Sequence, residues 1–355
     1  MNNDRIQEIL DLMEEARLDY FLISDPQSIA YCTGYYNDPH ERMFVFMISK
    51  HGNHTLFMND LFYLDHDLDV NIVWHKDGQD AIQTIVDEMH FPGRIGIDKN
   101  WASHFLLDLM KKLPDAKYIN ASPCVDLVRM KKDLQEQVLM IESSKINDAV
   151  MEEIIPFIQE GVTEKQLAKK LDELFFNHHS TCYGAIVAFG KNAADPHHEN
   201  DDTLLRKGDC VLIDMGCVYK GYCSDMTRTF FYEGILEEEI KVYEIVKKAN
   251  EAAEAMIKPG VKLSDIDKCA RKVISDEGYR KYFTHRLGHF IGRDVHEYGD
   301  VSSVNEMEVE EGMIFSIEPG IYLEGNFGVR VEDLVMVTKD GCQVLNSFTK
   351  DIYII

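Results

Sequence analysis

Over the first 120 residues, the hydrophobic positions alternate between the period of a helix and that of a strand. Apolar residues recur at helical spacing in three segments: 4–18, 81–89 and 101–114. Short apolar runs of strand length occupy five others: 19–24, 43–48, 54–59, 71–75 and 94–98. Because the two kinds of segment alternate along the chain, the pattern predicts an α/β domain. We place its end near residue 130, so the first predicted domain covers residues 1–130.

The rest of the chain, residues 131–355, combines long helical patterns with pairs of strands. Helical periodicity covers four segments: 131–162, 163–176, 236–260 and 264–279. Strand patterns form two pairs: 210–219 with 222–231, and 313–323 with 328–338. Thr163 and Gln166 have the spacing of a capping box at the start of the second helix. Helices that flank antiparallel hairpins predict a second domain of the α+β class.

The composition narrows the classes of function. The 355 residues include 62 Asp and Glu against 37 Lys and Arg, a formal net charge of −25, which disfavours binding to nucleic acid. No run approaches the ~20 apolar residues of a membrane span, and the first residues show no secretory signal. The eight cysteines are irregularly spaced, which is typical of reduced, mostly buried thiols. We therefore expect a cytoplasmic protein that binds neither nucleic acid nor membrane.

Two aspartates interrupt the first predicted strand pair. A tight turn at residues 219–220 sets Asp214 and Asp225 directly opposite each other. A turn at 220–221 instead sets Asp214 opposite Thr227, with Asp225 a diagonal neighbour on the same face. Carboxylates this close repel each other unless a proton or a cation lies between them. A site with two metals ~3.5–4 Å apart, bridged by carboxylate oxygens, would use this arrangement. The alternative is two solvent-facing aspartates, but their apolar neighbours predict buried strands, where Asp is disfavoured.

The second predicted strand pair repeats this pattern with two glutamates. A hairpin centred on Gly325 sets Glu318 opposite Glu332, and alternation places Arg330 on the same face as Glu332. A carboxylate among apolar strand residues needs a cation or a tight hydrogen-bond network. A Glu332–Arg330 ion pair is the simpler interpretation, but four such carboxylates in two hairpins weaken it.

A histidine-rich segment, FTHRLGHFIGRDVHEYGD at residues 283–300, offers a nitrogen ligand. His289 lies between Gly288 and Gly292, which disfavour a regular helix and favour close approach of the backbone to another group. Four carboxylates and one imidazole form a hard donor set that suits manganese, iron, cobalt or zinc rather than copper(I). The H-E-x-x-H zinc motif is absent. A further pair, His197 and His198, lies in a polar segment where histidines are more often solvated than catalytic.

In this order, the motifs IDMG, GYCSDMTRTF, HRLGHFIGRDVHE, IEPG and GVRVED resemble those of the pita-bread metallopeptidases. That family includes methionine aminopeptidase, aminopeptidase P, prolidase and creatinase. The resemblance runs from about residue 130 to residue 355, and the preceding domain resembles, more loosely, the amino-terminal domain of prolidase, aminopeptidase P and creatinase. It implies an α/β amino-terminal domain followed by an α+β pita-bread catalytic domain.

Carried over to this chain, the resemblance implies a role for each candidate residue. Five residues are expected to bind two divalent metals: Asp214, Asp225, His289, Glu318 and Glu332. Of these, Asp225 and Glu332 are expected to bridge the two metals. Glu318 is also the expected general base, and His197 and His296 are expected to contact the substrate and stabilise the intermediate. Arg330 is expected to support the substrate or the site, and His285 to lie beside the ligands without binding metal. The metal expected is Mn²⁺, with Co²⁺, Zn²⁺ and Fe²⁺ as alternatives, in a homodimer.

The same resemblance narrows the expected substrate to a peptide with proline after the scissile bond. Creatinase lacks the complete ligand set, and methionine aminopeptidase usually lacks the amino-terminal domain and the PHH and GVRVED patterns. Prolidase, which cleaves dipeptides, is the first prediction, and aminopeptidase P, which acts on longer peptides, is the alternative. Phe189 departs from the serine of many relatives near His197 and is expected to affect the pocket. Two competing hypotheses are a non-catalytic peptide-binding protein and carboxylates that only form ion pairs with arginines: Arg228, Arg286 and Arg330.

Overall fold

Two units make up the chain in the computed structural model, which describes residues 1–90 and 92–355. Residues Met1–Arg129 form the first and residues Met130–Ile355 the second. In the second unit, Thr163 and Gln166 form the predicted capping box: the Thr163 hydroxyl accepts the Gln166 N–H at 3.1 Å, and the Gln166 side chain accepts the Thr163 N–H at 3.0 Å. All eight cysteines are free thiols, and five of them are buried. Within the described residues, no helix has both the length and the apolar content to cross a membrane.

The first unit is built on a mixed six-stranded sheet. Its strands are Tyr20–Ile23 (β1), Val45–Ser49 (β2), Thr55–Asn59 (β3), Asn71–His75 (β4), Arg94–Ile97 (β5) and Lys117–Asn120 (β6). Its helices are Asn3–Glu15 (α1), Pro26–Thr33 (α2), Ala81–Glu88 (α3), Ser103–Lys112 (α4) and Pro123–Met130 (α5). The strand order is β4-β3-β2-β1-β5-β6, with β1 antiparallel to β2 and parallel to β5.

Helices cover both faces of this sheet. Phe21 and Ile23 of β1 pack with residues of α1, α2 and α5, whereas Tyr20 and Leu22 pack with residues of α3 and α4. Successive side chains of a strand point to opposite faces, so β1 is buried on both sides. This arrangement confirms the predicted α/β class of the first unit.

The second unit combines four long helices with short antiparallel sheets. The helices are Leu134–Ile154 (α6), Glu164–Asn177 (α7), Glu237–Glu254 (α8) and Leu263–Asp276 (α9). Single 3₁₀ turns cover Ile155–Phe157, Gly190–Ala194 and Arg280–Tyr282. The strands up to the first predicted pair are Thr181–Cys182 (β7), Ile186–Phe189 (β8), Cys210–Met215 (β9), Cys217–Tyr219 (β10), Tyr222–Cys223 (β11) and Met226–Phe231 (β12). The later strands are Gly288–His289 (β13), Asp300–Val301 (β14), Ile314–Ile317 (β15), Gly320–Leu323 (β16), Phe327–Arg330 (β17), Asp333–Val337 (β18) and Cys342–Val344 (β19).

Three of these sheets carry the predicted site. The sheet order β12-β9-β8 holds the first hairpin, β15-β18-β19 holds half of the second, and β16 pairs with β17 to complete it. Helix α6 packs against α7, and α8 packs against α9. Apolar residues of α7 pack with those of β8, β9 and β12 in one core. The predicted α+β class of the second unit is confirmed.

Candidate metal centre

The first hairpin adopts the second of the two predicted registers. Asp214 of β9 lies opposite Thr227 of β12, and the same register continues through β10 and β11. The turn falls at Lys220 and Gly221, which have φ angles of 49° and 82°. Asp225 immediately precedes β12 and is only 5% exposed. The two aspartates are therefore diagonal neighbours, as that register predicts, and not directly opposed.

The second hairpin has the predicted register, centred on Gly325. Gly320 pairs with Arg330 on one side of the glutamates, and Ile317 pairs with Asp333 on the other. The same register on both sides places Glu318 and Glu332 opposite each other, at the point where the two short ladders separate. Because the ladder is interrupted here, neither glutamate lies within a regular strand.

Close approach of two backbones brings His289 to these carboxylates. A Cβ atom on Gly288 would lie 1.9 Å from the carbonyl oxygen of Ser316, so only glycine fits there. The His289 N–H donates to the Ser316 hydroxyl at 3.0 Å, and Nδ1 donates to the Phe290 carbonyl at 3.2 Å. Nε2 faces the carboxylates, 3.6 Å from Asp225 Oδ2 and 3.7 Å from Glu318 Oε1. Burial lowers the pKa of His289, but Asp225 and Glu318 outweigh it and raise that pKa, so a cation at Nε2 would replace a proton. With Nδ1 bonded to the Phe290 carbonyl, Nε2 is the nitrogen that could bind a metal.

The charges of the cluster demand compensation. Potential ligand atoms of Asp225, His289 and Glu332 lie within 4.8 Å of one another. Burial raises the pKa of Glu332 well above its usual range, and the charges of Asp225 and Glu318 raise it further. Burial also raises the pKa of Glu318 to about 7, although His289 and Arg330 oppose the shift. Oδ1 of Asp225 is buried and has no hydrogen-bond partner within the described residues. This donor set fits divalent cations.

Arg330 supplies one positive charge at the edge of the cluster. Its Nη2 donates to Asp214 at 2.6 Å, its Nε to the Thr227 hydroxyl at 3.1 Å, and its Nη1 to the Tyr322 hydroxyl at 3.0 Å. The Thr227 hydroxyl in turn donates to Glu332 at 2.6 Å. The simpler interpretation, a direct Glu332–Arg330 ion pair, is therefore wrong, because the ion pair of Arg330 is with Asp214.

The competing hypothesis of three arginine ion pairs also fails at Arg228. That guanidinium is buried and pairs with Asp333 at 2.7 Å. It also donates to the backbone carbonyls of Glu332 and Phe348. Arg228 therefore holds the strands behind the cluster and neutralises none of the four carboxylates of interest.

Comparison with known proteins decides the family. The model described as metallopeptidase family M24 matches residues 138–339, and that of the creatinase/prolidase N-terminal domain matches residues 5–131. The chain belongs to metallopeptidase family M24. The resemblance to the pita-bread metallopeptidases is thereby confirmed.

Relatives of this M24 peptidase match it over nearly the whole chain. An uncharacterized peptidase of Staphylococcus aureus (strain bovine RF122 / ET3-1) is 34% identical over 355 residues, covering 98% of this chain and 99% of the relative. The crystal structure of a dipeptidase from Pyrococcus horikoshii OT3 has 34% identity and a TM-score of 0.92, over 99% of this chain and 100% of the other. A recombinant prolidase from Thermococcus sibiricus has 31% identity and a TM-score of 0.92, over 100% and 99%. An X-Pro aminopeptidase from Thermotoga maritima MSB8 has 29% identity and a TM-score of 0.84, over 97% and 100%.

A cavity of about 360 Å³ in the M24 unit brings the candidate residues together. All eight residues assigned to the site from the sequence line it: His197, Asp214, Asp225, His289, His296, Glu318, Arg330 and Glu332. The ring of His296 lies 4.3 Å from that of His289. Burial lowers the pKa of His296 to about 4, so this imidazole is neutral at physiological pH. His197 is exposed on the cavity wall.

Phe189 does not alter this cavity, contrary to the expectation from the sequence. Its side chain is 1% exposed and packs in the hydrophobic core with Leu167 and Val211. It is not among the residues that line the cavity. Ile186 of the same strand, β8, lines the cavity. Successive side chains of a strand point to opposite faces, so Phe189, three residues later, points away from the cavity and into the core.

Tyr322, which the sequence analysis did not single out, connects the cluster to His285. The Tyr322 hydroxyl accepts from Arg330 and donates to Nε2 of His285 at 2.8 Å, while Nδ1 of His285 donates to the Arg286 carbonyl at 2.7 Å. Burial lowers the pKa of His285 to about 4, which keeps the ring neutral. Tyr322 of β16 is a diagonal neighbour of Arg330 of β17 on the same face, so the predicted register already contained this signal. The sequence analysis considered Thr227 only as the residue opposite Asp214 in one of the two registers, and not as a hydrogen-bond donor to Glu332.

Proposed function

We propose that this protein is a dinuclear-metal peptidase that hydrolyses Xaa-Pro bonds, and specifically an Xaa-Pro dipeptidase, or prolidase. The observation that carries the proposal is the convergence of four carboxylates and the His289 imidazole on a cavity that His197 and His296 also line. The similarity of the whole chain to a dipeptidase and a prolidase supports the substrate class. Aminopeptidase P activity on longer peptides is the alternative, supported by the likeness to an X-Pro aminopeptidase.

We assign two divalent cations to five ligands: Asp214, Asp225, His289, Glu318 and Glu332. Asp225 and Glu332 are the proposed bridging pair, as the resemblance to the family implies, and both have a potential ligand oxygen within 4.8 Å of His289. A donor set of oxygens with one imidazole suits Mn²⁺, and Co²⁺, Zn²⁺ or Fe²⁺ are compatible with it. When bound, such cations polarise the scissile carbonyl and lower the pKa of an attacking water.

The residues of the chain then divide the remaining work. Glu318 is the proposed general base: its carboxylate receives a proton from the attacking water and delivers it to the leaving nitrogen of proline. His197 and His296 line the cavity and are proposed to contact the substrate and stabilise the charge that develops on the carbonyl oxygen. Arg330, fixed by Asp214 and Tyr322, is proposed to hold the centre and the substrate in position.

The organisation of the protein is proposed on the same basis. Residues 1–130 are the proposed creatinase/prolidase-type amino-terminal domain, and residues 131–355 the catalytic domain, in accord with the two units. We also propose a homodimer, from the resemblance to the family. A cytoplasmic location accords with eight free cysteines, since thiols persist in reducing compartments.

The experiment compares substrates on protein that has been stripped of metal and reloaded with Mn²⁺. An Xaa-Pro dipeptide and the matching Xaa-Pro-Xaa tripeptide are assayed side by side, with the Xaa-Ala dipeptide as a control for the proline requirement. We expect the dipeptide to be preferred and Xaa-Ala to be a poor substrate. Preference for the tripeptide establishes aminopeptidase P instead. Cleavage of neither proline peptide by protein with two bound metals overturns the Xaa-Pro assignment.

A further inference from the structure

A buried carboxylate outside the metal centre accepts four hydrogen bonds. Glu164 is the first residue of α7 and is fully buried. Its Oε1 accepts the Phe189 N–H and the Asn192 side-chain amide, both at 2.9 Å. Its Oε2 accepts Nε2–H of His198 at 2.6 Å and the Asp201 N–H at 3.0 Å. A carboxylate has about four lone-pair positions, so all of its accepting capacity is used.

The same group is close enough to bind a cation, but its hydrogen bonds argue against one. Potential ligand atoms of Glu164, His198 and Asp201 lie within 4.8 Å of one another. A cation on Oε2 would have to displace either the imidazole or a backbone N–H, whereas Asp225 in the metal centre has a buried oxygen without a partner. Glu164 is therefore the centre of a hydrogen-bonded anchor and not a further metal site.

This anchor holds the segment that carries His197. The His197 N–H donates to the Asp195 side chain at 3.1 Å, and the His198 N–H donates to the Asp195 carbonyl at 3.2 Å. The two neighbouring imidazoles lie in different places. That of His197 lines the cavity, and that of His198 contacts Glu164. Because Glu164 bonds residues on both sides of His197, it fixes the segment from residue 189 to residue 201 at both ends.

We propose that the Glu164–His198 pair is the positioning element that sets His197 against the substrate. The pair touches neither the cavity nor the metal ligands, so it reaches the site through the segment that carries His197 and its neighbour Pro196, and the inference rests on the proposed function for the role of His197. Without the His198 donor, Glu164 keeps three hydrogen bonds but has one buried acceptor position unsatisfied, and we expect the segment to shift to satisfy it. Displacement of a catalytic group by about 1 Å costs about 10²-fold in rate.

His198→Phe tests the proposal, because it keeps an aromatic ring and removes the N–H donor. We expect kcat/KM for an Xaa-Pro dipeptide to fall by about 10²-fold in the Mn²⁺-loaded protein. His198→Gln, whose amide can reach Glu164, restores most of that loss. In a His197→Ala background, His198→Phe costs less than about twofold more, because the group that it positions is already absent.

The matched control breaks an equivalent pair at the surface. Glu153 Oε1 lies 3.0 Å from His178 Nε2, and both side chains are partly exposed. His178→Phe removes the N–H donor of this pair, as His198→Phe does at the anchor, and is expected to leave kcat/KM unchanged. If His198→Phe costs the same factor with and without His197, or costs nothing in either background, the positioning role is wrong.

Crystal structures of the metal-loaded variants separate this proposal from the proposed function. We expect the backbone of His197 to move by about 1 Å in His198→Phe and to stay in place in His198→Gln. If the wild-type protein cleaves no Xaa-Pro peptide, the proposed function fails, and the displacement still decides the positioning role. An unmoved His197 in the His198→Phe structure overturns the inference whatever the activity.

Discussion

Asp225 has a charge that its surroundings do not neutralise with hydrogen bonds. It is 5% exposed, and its Oδ1 has no hydrogen-bond partner within the described residues. Its Oδ2 lies 3.6 Å from Nε2 of His289, an ion pair that helps raise the pKa of that imidazole against the effect of burial. The carboxylates of Glu318 and Glu332 crowd the same buried cluster, so the charge of Asp225 destabilises the metal-free fold.

The substitution Asp225→Asn is expected to separate binding from folding. We expect fewer than two metals per chain and a loss of activity of at least about 10²-fold, because a bridging ligand is removed. The metal-free variant should melt at a higher temperature than the metal-free wild type, since one of several like charges is gone. Elemental analysis, turnover of an Xaa-Pro dipeptide and thermal melting in a chelator measure the three effects.

Asp202→Asn, at a side chain that is 80% exposed, is the control and should change none of them. Retention of both metals and full activity in Asp225→Asn contradicts the proposed ligand set. A wild-type protein that purifies without stoichiometric metal, and regains none, favours a non-catalytic peptide-binding protein instead.

The hairpins are the elements that the sequence predicted most completely. The register of the second hairpin follows from a glycine at its centre, and Gly325 has a φ of 76° that favours glycine. In the first hairpin two registers remained open, because Lys-Gly is a weaker turn signal than Asn-Gly. Lys220 occupies a left-handed conformation that lysine seldom adopts, so the residue type at this position does not indicate the observed register.

Lys220→Asn is expected to stabilise this hairpin by about 1 kcal/mol, because Asn adopts the left-handed conformation at lower cost. Lys220 loses little in exchange: its ion pair with Glu142 is 3.7 Å long and exposed, a kind worth about 0–1 kcal/mol. Lys220→Gln removes the same charge without the conformational gain, and it should be neutral or slightly destabilising. Calorimetry of the metal-loaded variants measures the melting temperature of each. Equal shifts in Lys220→Asn and Lys220→Gln contradict the explanation by the left-handed conformation.

Elements that the sequence analysis missed are short or begin in unexpected ways. Helix α5 begins at Pro123, where no helix was predicted, although proline suits the first turn of a helix. Helix α2 has only eight residues, and Asp25 caps it while Gly34 ends it at a φ of 82°. Strand β6 has four residues, too few for alternation to register. Such elements depend on their neighbours in the fold more than on their own pattern.

The contacts of the site that were not predicted join residues about a hundred positions apart. Thr227 bonds Glu332 across 105 residues, and Arg330 bonds Asp214 across 116. Each hairpin is local and can be read from spacing, but which hairpin faces which is set by the packing of the whole unit. The ligand residues were recognised because their motifs resemble a family, whereas their hydrogen-bonded supports have no comparable motif.

At the scale of the whole molecule, the metal centre needs two distant segments to dock. The backbone N–H of Glu332 donates to the Thr227 carbonyl at 3.1 Å, so the hairpins meet edge to edge. Contacts between distant segments form late, because closing a long loop costs entropy before the contacts are made. The ligands are therefore complete only in the nearly native state.

We expect Mn²⁺ to leave the refolding rate of the protein unchanged within about twofold and to slow its unfolding. A ligand that binds only the native state, present at 100 times its Kd, adds about 2.7 kcal/mol to the free energy of unfolding. When the site is absent from the transition state, this stabilisation slows unfolding and leaves the refolding rate unchanged. Stopped-flow fluorescence in urea, with and without Mn²⁺, measures both rates. Asp225→Asn should lose the slower unfolding, and faster refolding with metal contradicts the late assembly of the centre.

Separation of the two hairpins along the chain has a consequence during synthesis. The 105 residues between Thr227 and Glu332 take about 5–20 s to translate. Throughout that interval the nascent chain has Asp214 and Asp225 but lacks Glu332, and until its last 14 residues it lacks Glu318 as well. A ribosome-bound chain can thus hold at most a weak, incomplete donor set, and metal loading is a step that follows translation.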